Sequence, residues 1–333
     1  MAKRQFYRIL LITSVGILAV LLVSILIGRY PKPPGMSPRL LFTDTLARQL
    51  VLRLRLPRLL TALLMGMVLA AAGSVLQMIF RNPLVEPGFL GVSQGAAFGA
   101  AVSILWLNSH PLIIELSATF FGLLALAGTY LISTRIRYGG WVLRLILSGV
   151  AVSALFSAGV GVLKYIADPL TELPELTFWL LGGLYHVTWR DFLFALPFGL
   201  TGIAVVFAMR WRVNLLSLND ETAFSLGASL GRERLVLLVA AVSATAALTA
   251  ISGIIGWIGL IIPHIARRIF GTSAEKSLPA AMLLGGAFSM IADDLARTLL
   301  PGEIPLGILT SAIGAILFIY LMISMGIKVR SHG

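Results

Sequence analysis

The sequence predicts an all-α integral membrane protein of about ten transmembrane helices, with the N- and C-termini cytoplasmic. Three observations predict this. Of 333 residues, 58% are apolar and only 12% charged, where a soluble domain carries roughly 45–50% and about 25%. The charges fall at intervals, leaving charge-free stretches long enough to cross a ~30 Å hydrocarbon core. Lys and Arg also favour alternate loops, as cytoplasmic loops do.

The first stretch, residues 9–28, lies between Arg8 and Arg29. It has no small-residue cleavage site and is expected to be a first span, not a signal peptide. Residues 59–80, about 89–107, 116–134, 145–163 and 192–209 follow. The run 235–266 is 32 charge-free residues, about 48 Å as one helix at ~1.5 Å per residue. That is too long for one upright span. Gly253, Gly256 and Gly259 mark its middle, where glycine tolerates a reversal, so two helices are expected. Residues 277–292 and 304–327 complete ten. With ten spans, 16 of the 26 Lys and Arg lie inside; nine spans would worsen the bias.

The net charge of +12 therefore belongs to loops rather than to a nucleic-acid-binding face. One external loop, 29–58, opposes the rule, with Arg29, Lys32, Arg39, Arg48, Arg53, Arg55 and Arg58. Tolerated loop charge explains it, and so does a docking surface for an acidic partner.

Several chemistries are missing. No cysteine occurs, which removes disulfides, zinc fingers and iron–sulfur sites. None of the five lysines follows a glycine, so there is no P-loop and no means of binding ATP in that way. Asp293 and Arg297 are spaced for a local i,i+4 pair. The spans show no chain of buried carboxylates for coupling ions, which disfavours an ion-coupled secondary transporter. No catalytic constellation for an enzyme is visible.

Other segments carry positive signals. Gly95 and Gly99 form a Gly-x-x-x-Gly pair, which lets membrane helices approach closely. Gly149, Ser153, Ser157 and Gly161 recur every four residues, one stripe on a helix. Gly307, Ser311 and Gly314 mark the last span. Either stripe suits tight packing within the chain or a seam with a partner. Residues 167–177, with Asp168, Glu172 and Glu175, fit a short external helix or a solvated loop. In the loop 210–234, Asn219 or Asp220 can cap a short helix that Gly227 ends. Phe224 and Leu226 are apolar residues on that cytoplasmic loop.

The segment RLPRLLTALLMGMVLAAAGSVLQMIFRNPLVEPGFLGVSQGAAFGA (55–100) resembles the permease subunits of type II ABC importers, which take up iron-siderophores, haem and vitamin B12. LSLNDETAFSLGASLG (216–231), SGIIGWIGLIIPHIARRIFG (252–271) and ADDLARTLLPGEIPLGILTSAIGA (292–315) extend the resemblance over the whole chain. It implies one ten-helix permease domain, 1–333, in the cytoplasmic membrane of a prokaryote. It implies a homodimer bound to two cytoplasmic ATPase subunits and one extracytoplasmic substrate-binding protein. ATP and magnesium belong to the ATPase, and this chain carries no cofactor, metal or catalytic residue.

The resemblance also implies roles. Arg55, Arg58 and Arg297 would dock the binding protein through its glutamates. Asn219, Asp220, Glu221, Thr222, Phe224, Leu226 and Gly227 would form the coupling helix. Asn82, Pro83 and Leu84 would form a cytoplasmic gate. The two small-residue stripes would line the pathway and dimer seam. A ferric siderophore or haem is the expected cargo, with cobalamin or a molybdate-type oxyanion as alternatives. Asn219, Gln94 and Ile316 depart from the family's usual residues, Ile316 standing where proline is frequent.

Overall fold

A computed structural model describes residues 2–107 and 109–324. Its described residues are helical apart from turns and one isolated bridge, Ile27 to Gly35. In chain order the helices are α1 (Ala2–Leu26), α2 (Leu40–Thr43), α3 (Thr45–Leu50), α4 (Leu56–Ile79), α5 (Val92–Val102), α6 (Pro111–Arg135), α7 (Trp141–Ile166) and α8 (Glu172–Leu181). Then come α9 (Trp189–Ala208), α10 (Arg210–Leu216), α11 (Asp220–Ser225), α12 (Leu230–Ser252), α13 (Ile258–Phe270), α14 (Ala274–Thr298) and α15 (Leu306–Ser324). Among the described residues, α1, α4, α5, α6, α7, α9, α12, α13, α14 and α15 stand where the ten spans were expected. Lys328 and Arg330, counted as internal, lie outside the described residues.

Three expectations need refinement. The loop 29–58 is largely helical: Thr45–Ile79 runs on as one 35-residue helical segment, through a π-helical turn at Val51–Arg55. The run 235–266 does split, at residues 253–257, but α13 is only 13 residues long. At ~1.5 Å per residue it covers about 20 Å, so the second half is a broken span. Gly253, at φ +67°, makes the break in a region glycine enters at no steric cost. Finally, α14 continues six residues past Ala292, carrying Asp293, Asp294 and Arg297 inside the helix.

The loop 210–234 is mostly helical too, divided among α10, α11 and the start of α12. The segment 167–177 leads into α8. Ile316 lies within α15, which runs unbroken to Ser324.

Central α4 is buried on nearly every side, while α7 and α15 leave most of their length open. Small residues set that packing. A methyl group at Gly66 of α4 would collide with the carbonyl oxygen of Gly285 in α14, and one at Gly285 with that of Gly66. Gly95 and Gly99 do the same for α5 against the backbone of Phe121 and Ser117 in α6. Asn214 of α10 accepts a hydrogen bond from the Ala274 amide at 2.7 Å and so caps α14.

The ion pairs agree with ten alternating spans. Arg58, Asp293, Glu303, Arg297 and Ser24, all assigned to external helix ends, meet one another. Arg81, Asp220 and Arg234, all assigned to internal ends, meet at the opposite face.

Candidate functional site

At the outer face, Pro57 at the second position of α4 is followed by Arg58, which points into the protein. Its Nε and Nη2 donate to Asp293 at 3.0 and 2.8 Å, and its Nη1 donates to Glu303 at 2.9 Å. Asp293 has no exposed surface. Arg297 donates to Asp294 and, at 2.8 Å, to the Ser24 carbonyl. Arg55 donates to the Ile25 carbonyl at 3.0 Å. All three arginines named as docking residues are buried at this one face. The pair Arg297–Asp293, read locally from its spacing, is long at 3.8 Å. Asp293 belongs instead to Arg58, 235 positions away. Nothing in the local pattern marked Asp293 or Glu303 as partners of Arg58.

Beside this network opens a cavity of about 280 Å³ lined by Arg29, Arg55, Arg58, Arg297, Tyr30 and Glu303. Of these four guanidinium groups, that of Arg58 is paired with Asp293 and Glu303 and that of Arg297 with Asp294, while Arg29 and Arg55 donate to backbone carbonyls. Lys32, Arg39, Arg48 and Arg53 are exposed on the same side.

Two interruptions between helices meet inside the bundle. The first, between α4 and α5, carries Asn82, Pro83 and Leu84. The Asn82 side chain accepts from the Leu84 amide at 2.9 Å, an Asx-type turn that holds the segment out of helix. Leu84 and Pro83 face Leu260, His264 and Phe318 across a small gap. The second break is 253–257. The two meet where the Glu86 carboxylate accepts a hydrogen bond from the Trp257 amide at 3.2 Å; Trp257 sits at φ +72°. Between them lies a cavity of about 380 Å³, with Glu86, Ser93, Gln94, Ser153, Thr245 and Thr249 in its wall. Irregular backbone at membrane depth persists where it lines a cavity. Sequence reasoning missed Glu86, which its place in a helix break could have signalled.

The small-residue stripes divide. Gly149 packs on the Phe89 carbonyl, Gly307 on those of Leu181 and Ile254, and Gly314 on the Trp257 side chain. These three serve close packing within the chain. Ser153 faces the cavity. Ser157 is exposed, and Gly161 has open space around its α-carbon. Ser311 is half-buried.

At the inner face, the Asn219 side chain accepts from the Thr222 amide at 3.2 Å and caps α11. Gly227, at φ +82°, follows its end. Ala223 anchors the helix in the core. Glu221 and Thr222 are exposed, and Phe224 and Leu226 are 73% and 55% exposed. Asp220 accepts from Arg81 at 2.9 Å and from Arg234 at 2.7 Å.

A bundle of spans with two interruptions around a polar cavity, an arginine-lined cavity at the outer face and a short helix presenting Phe224 and Leu226 at the inner face has the build of a multi-pass membrane transport protein. Residues 16–324 match the FecCD transport family, and the chain belongs to it. It is 37% identical over 96% of both chains to the molybdate import system permease protein of Haemophilus influenzae. It is 42% identical over 82% of both chains to a probable iron chelatin transport system permease protein of Helicobacter pylori. Its fold matches the structure described as an inward-facing conformation of a putative metal-chelate type ABC transporter, with TM-score 0.89 and 38% identity. That match covers 95% of this chain and 99% of the other. The chain is a permease of a type II ABC importer, a multi-pass protein of a prokaryotic inner membrane.

Proposed function

We propose that this permease imports a ferric chelate, a siderophore complex or haem, as a homodimer served by two cytoplasmic ATPase subunits and one extracytoplasmic binding protein. The observation that carries this reading is the polarity of the molecule. An arginine-lined cavity lies at its outer end, a polar cavity lies between two interruptions of the helices, and a short helix presents the exposed Phe224 and Leu226 side chains at its inner end. The outer cavity takes a carboxylate of the binding protein beside Arg55, whose guanidinium donates to backbone carbonyls, with Arg58 and Arg297, held by carboxylates of this chain, shaping its wall and the exposed Arg48 and Arg53 steering the approach. The α11 helix, from Asn219 to Gly227, seats its Phe224 and Leu226 side chains in a groove of the ATPase. ATP and magnesium bind that partner, because this chain has no phosphate loop.

Nucleotide binding there draws α11 inward. Asn82, Pro83 and Leu84 then close or open the cytoplasmic end, giving alternating access. Ser153, Ser157 and Gly161 face the pathway or the second copy, with Ser311 nearby. Gly149, Gly307 and Gly314 hold the surrounding helices close.

A molybdate-type oxyanion is the second reading, favoured by the likeness to the Haemophilus influenzae permease over 96% of the chain. The test is reconstitution of this chain with its ATPase and binding protein in proteoliposomes. ATP-dependent uptake is measured with a ferric siderophore, haem, cobalamin and molybdate in turn. Uptake of a ferric chelate and not of molybdate supports the first reading, and the reverse supports the second. Uptake driven by an ion gradient without the ATPase would overturn both.

A further inference from the structure

The end of α4 is built in an unusual way. The Asn82 amide bonds back to the Gln77 carbonyl at 3.1 Å and the Arg81 amide to that of Met78 at 3.2 Å. Such helix endings place a left-handed residue just past the helix, commonly glycine. Here that residue is Arg81, at φ +51°, a conformation costly for a side chain bearing a Cβ. What arginine offers and glycine lacks is its guanidinium, and that group reaches Asp220, the first residue of α11.

The contact closes a ring. Asp220 also accepts from Arg234 through both terminal nitrogens, at 2.7 and 3.2 Å. The Arg234 guanidinium stacks 4.7 Å from the centre of the Trp141 ring, and Trp141 packs edge-on against Phe80 at 5.6 Å. Phe80 is the chain neighbour of Arg81. An exposed ion pair is by itself a weak link, and Arg81 and Asp220 are both about half exposed. The buried, stacked Arg234 stiffens it. The ring joins the ends of four helices: α4, α7, α11 and α12.

We infer that Arg81 is a positioning residue for transport: through Asp220 it fixes α11 to the helix break at residues 82–84, so that the two move as one body. A push on α11 then displaces the break directly rather than being absorbed in the 217–229 connection. This rests on the reading of α11 as the ATPase contact.

The test uses the full importer, with its ATPase and binding protein, in proteoliposomes. The readout is cargo imported per ATP hydrolysed, with ATPase co-purification measured alongside. Arg81→Gln is expected to lower that ratio severalfold while the ATPase still co-purifies, and Arg81→Lys to restore most of it. An unchanged ratio in Arg81→Gln overturns the inference. The chain has no native cysteine, so a second arm pairs Arg81→Cys with Asp220→Cys. The doubly substituted importer is expected to hydrolyse ATP with little transport until a short bis-thiol reagent joins the two positions and restores the ratio. Failure of the cross-linked protein to regain coupling sinks the rigid joint. Loss of the ATPase from the wild-type complex instead, or its normal retention in a variant lacking Phe224 and Leu226, faults the reading of α11 and not the joint.

Discussion

Arg55, Arg58 and Arg297 at the outer face are buried, and their guanidinium groups are spent on carboxylates and carbonyls of the same chain. The inner face is built the other way. There Phe224 and Leu226 stand exposed, and of the charges behind them Arg81 and Asp220 are half-exposed while Arg234 is buried. A buried charge left unpaired is very costly, while an exposed pair contributes little to stability. The outer network therefore braces the fold, and the inner one orients a contact surface. Substitutions at the two faces should separate stability from coupling.

The largest effect is expected outside. Asp293→Ala strands the buried Arg58 with only Glu303, and breaking such a pair costs about 3–5 kcal/mol. Thermal unfolding of the detergent-solubilised chain should show the loss clearly. Arg81→Ala, which removes a half-exposed partner and leaves Asp220 paired with the buried Arg234, should lie nearer the ~1 kcal/mol upper range of surface pairs. Equal losses from the two variants would erase the distinction between the faces. For the same reason Arg58→Glu is a poor probe of docking alone, because it sets a third carboxyl group beside Asp293 and Glu303.

The next effect belongs to the inner contact. Phe224→Ala with Leu226→Ala removes two side chains whose burial against a partner is worth roughly 1.5–3 kcal/mol each. Co-purification of the ATPase should fall, and uptake with it. The isolated chain should unfold at its usual temperature, since both side chains are exposed. A drop in that temperature would mean that α11 packs on its own subunit through these residues.

A smaller effect is expected at the outer rim. Arg48→Glu with Arg53→Glu reverses two exposed charges, each worth roughly 0.2–1 kcal/mol at low salt. Association of the binding protein should slow, and the difference should fade as salt screens it. A salt-independent loss would point to direct contact instead of steering.

This contrast also explains what was legible in the sequence. Charge-free windows found the ten helices, and the excess length of 235–266 with Gly253 found the break in the seventh window. They misplaced helix ends where a charged residue has a distant partner. Charge counting ended one window at Arg58 and another at Ala292, yet the helix from Thr45 runs through Arg58, and α14 runs on through Asp293. The partners of those charges, 235 and more positions apart, satisfy them inside the fold. On the inner face, the Asn219 cap and the Gly227 stop were readable because they are local. The ring from Arg81 to Asp220 was not, because it joins four elements. The stripe of Gly149, Ser153, Ser157 and Gly161 had the right period but not one role, since periodicity places residues on a face without saying what that face meets.

The smallest expected effect is one of pH. Hydrogen bonding to Arg234, with Arg81 adding to it, holds the Asp220 carboxyl below its ordinary value of 3.8 despite some desolvation. A carboxylate with a depressed folded pKa contributes its stabilisation above the unfolded value and loses it as pH falls through the folded one. The ring should thus be intact well below neutrality. Cargo imported per ATP hydrolysed should stay flat between about pH 5 and about pH 8, a range in which an ordinary carboxylate is already ionised. The ratio should fall only as the medium approaches the acid range where Asp220 takes up a proton. Asp220→Asn, which carries no charge at any pH, should show the lowered ratio throughout and no further change on acidification. A wild-type ratio that turned over near pH 6.5, where histidine titrates, would move control of coupling away from Asp220 to another group.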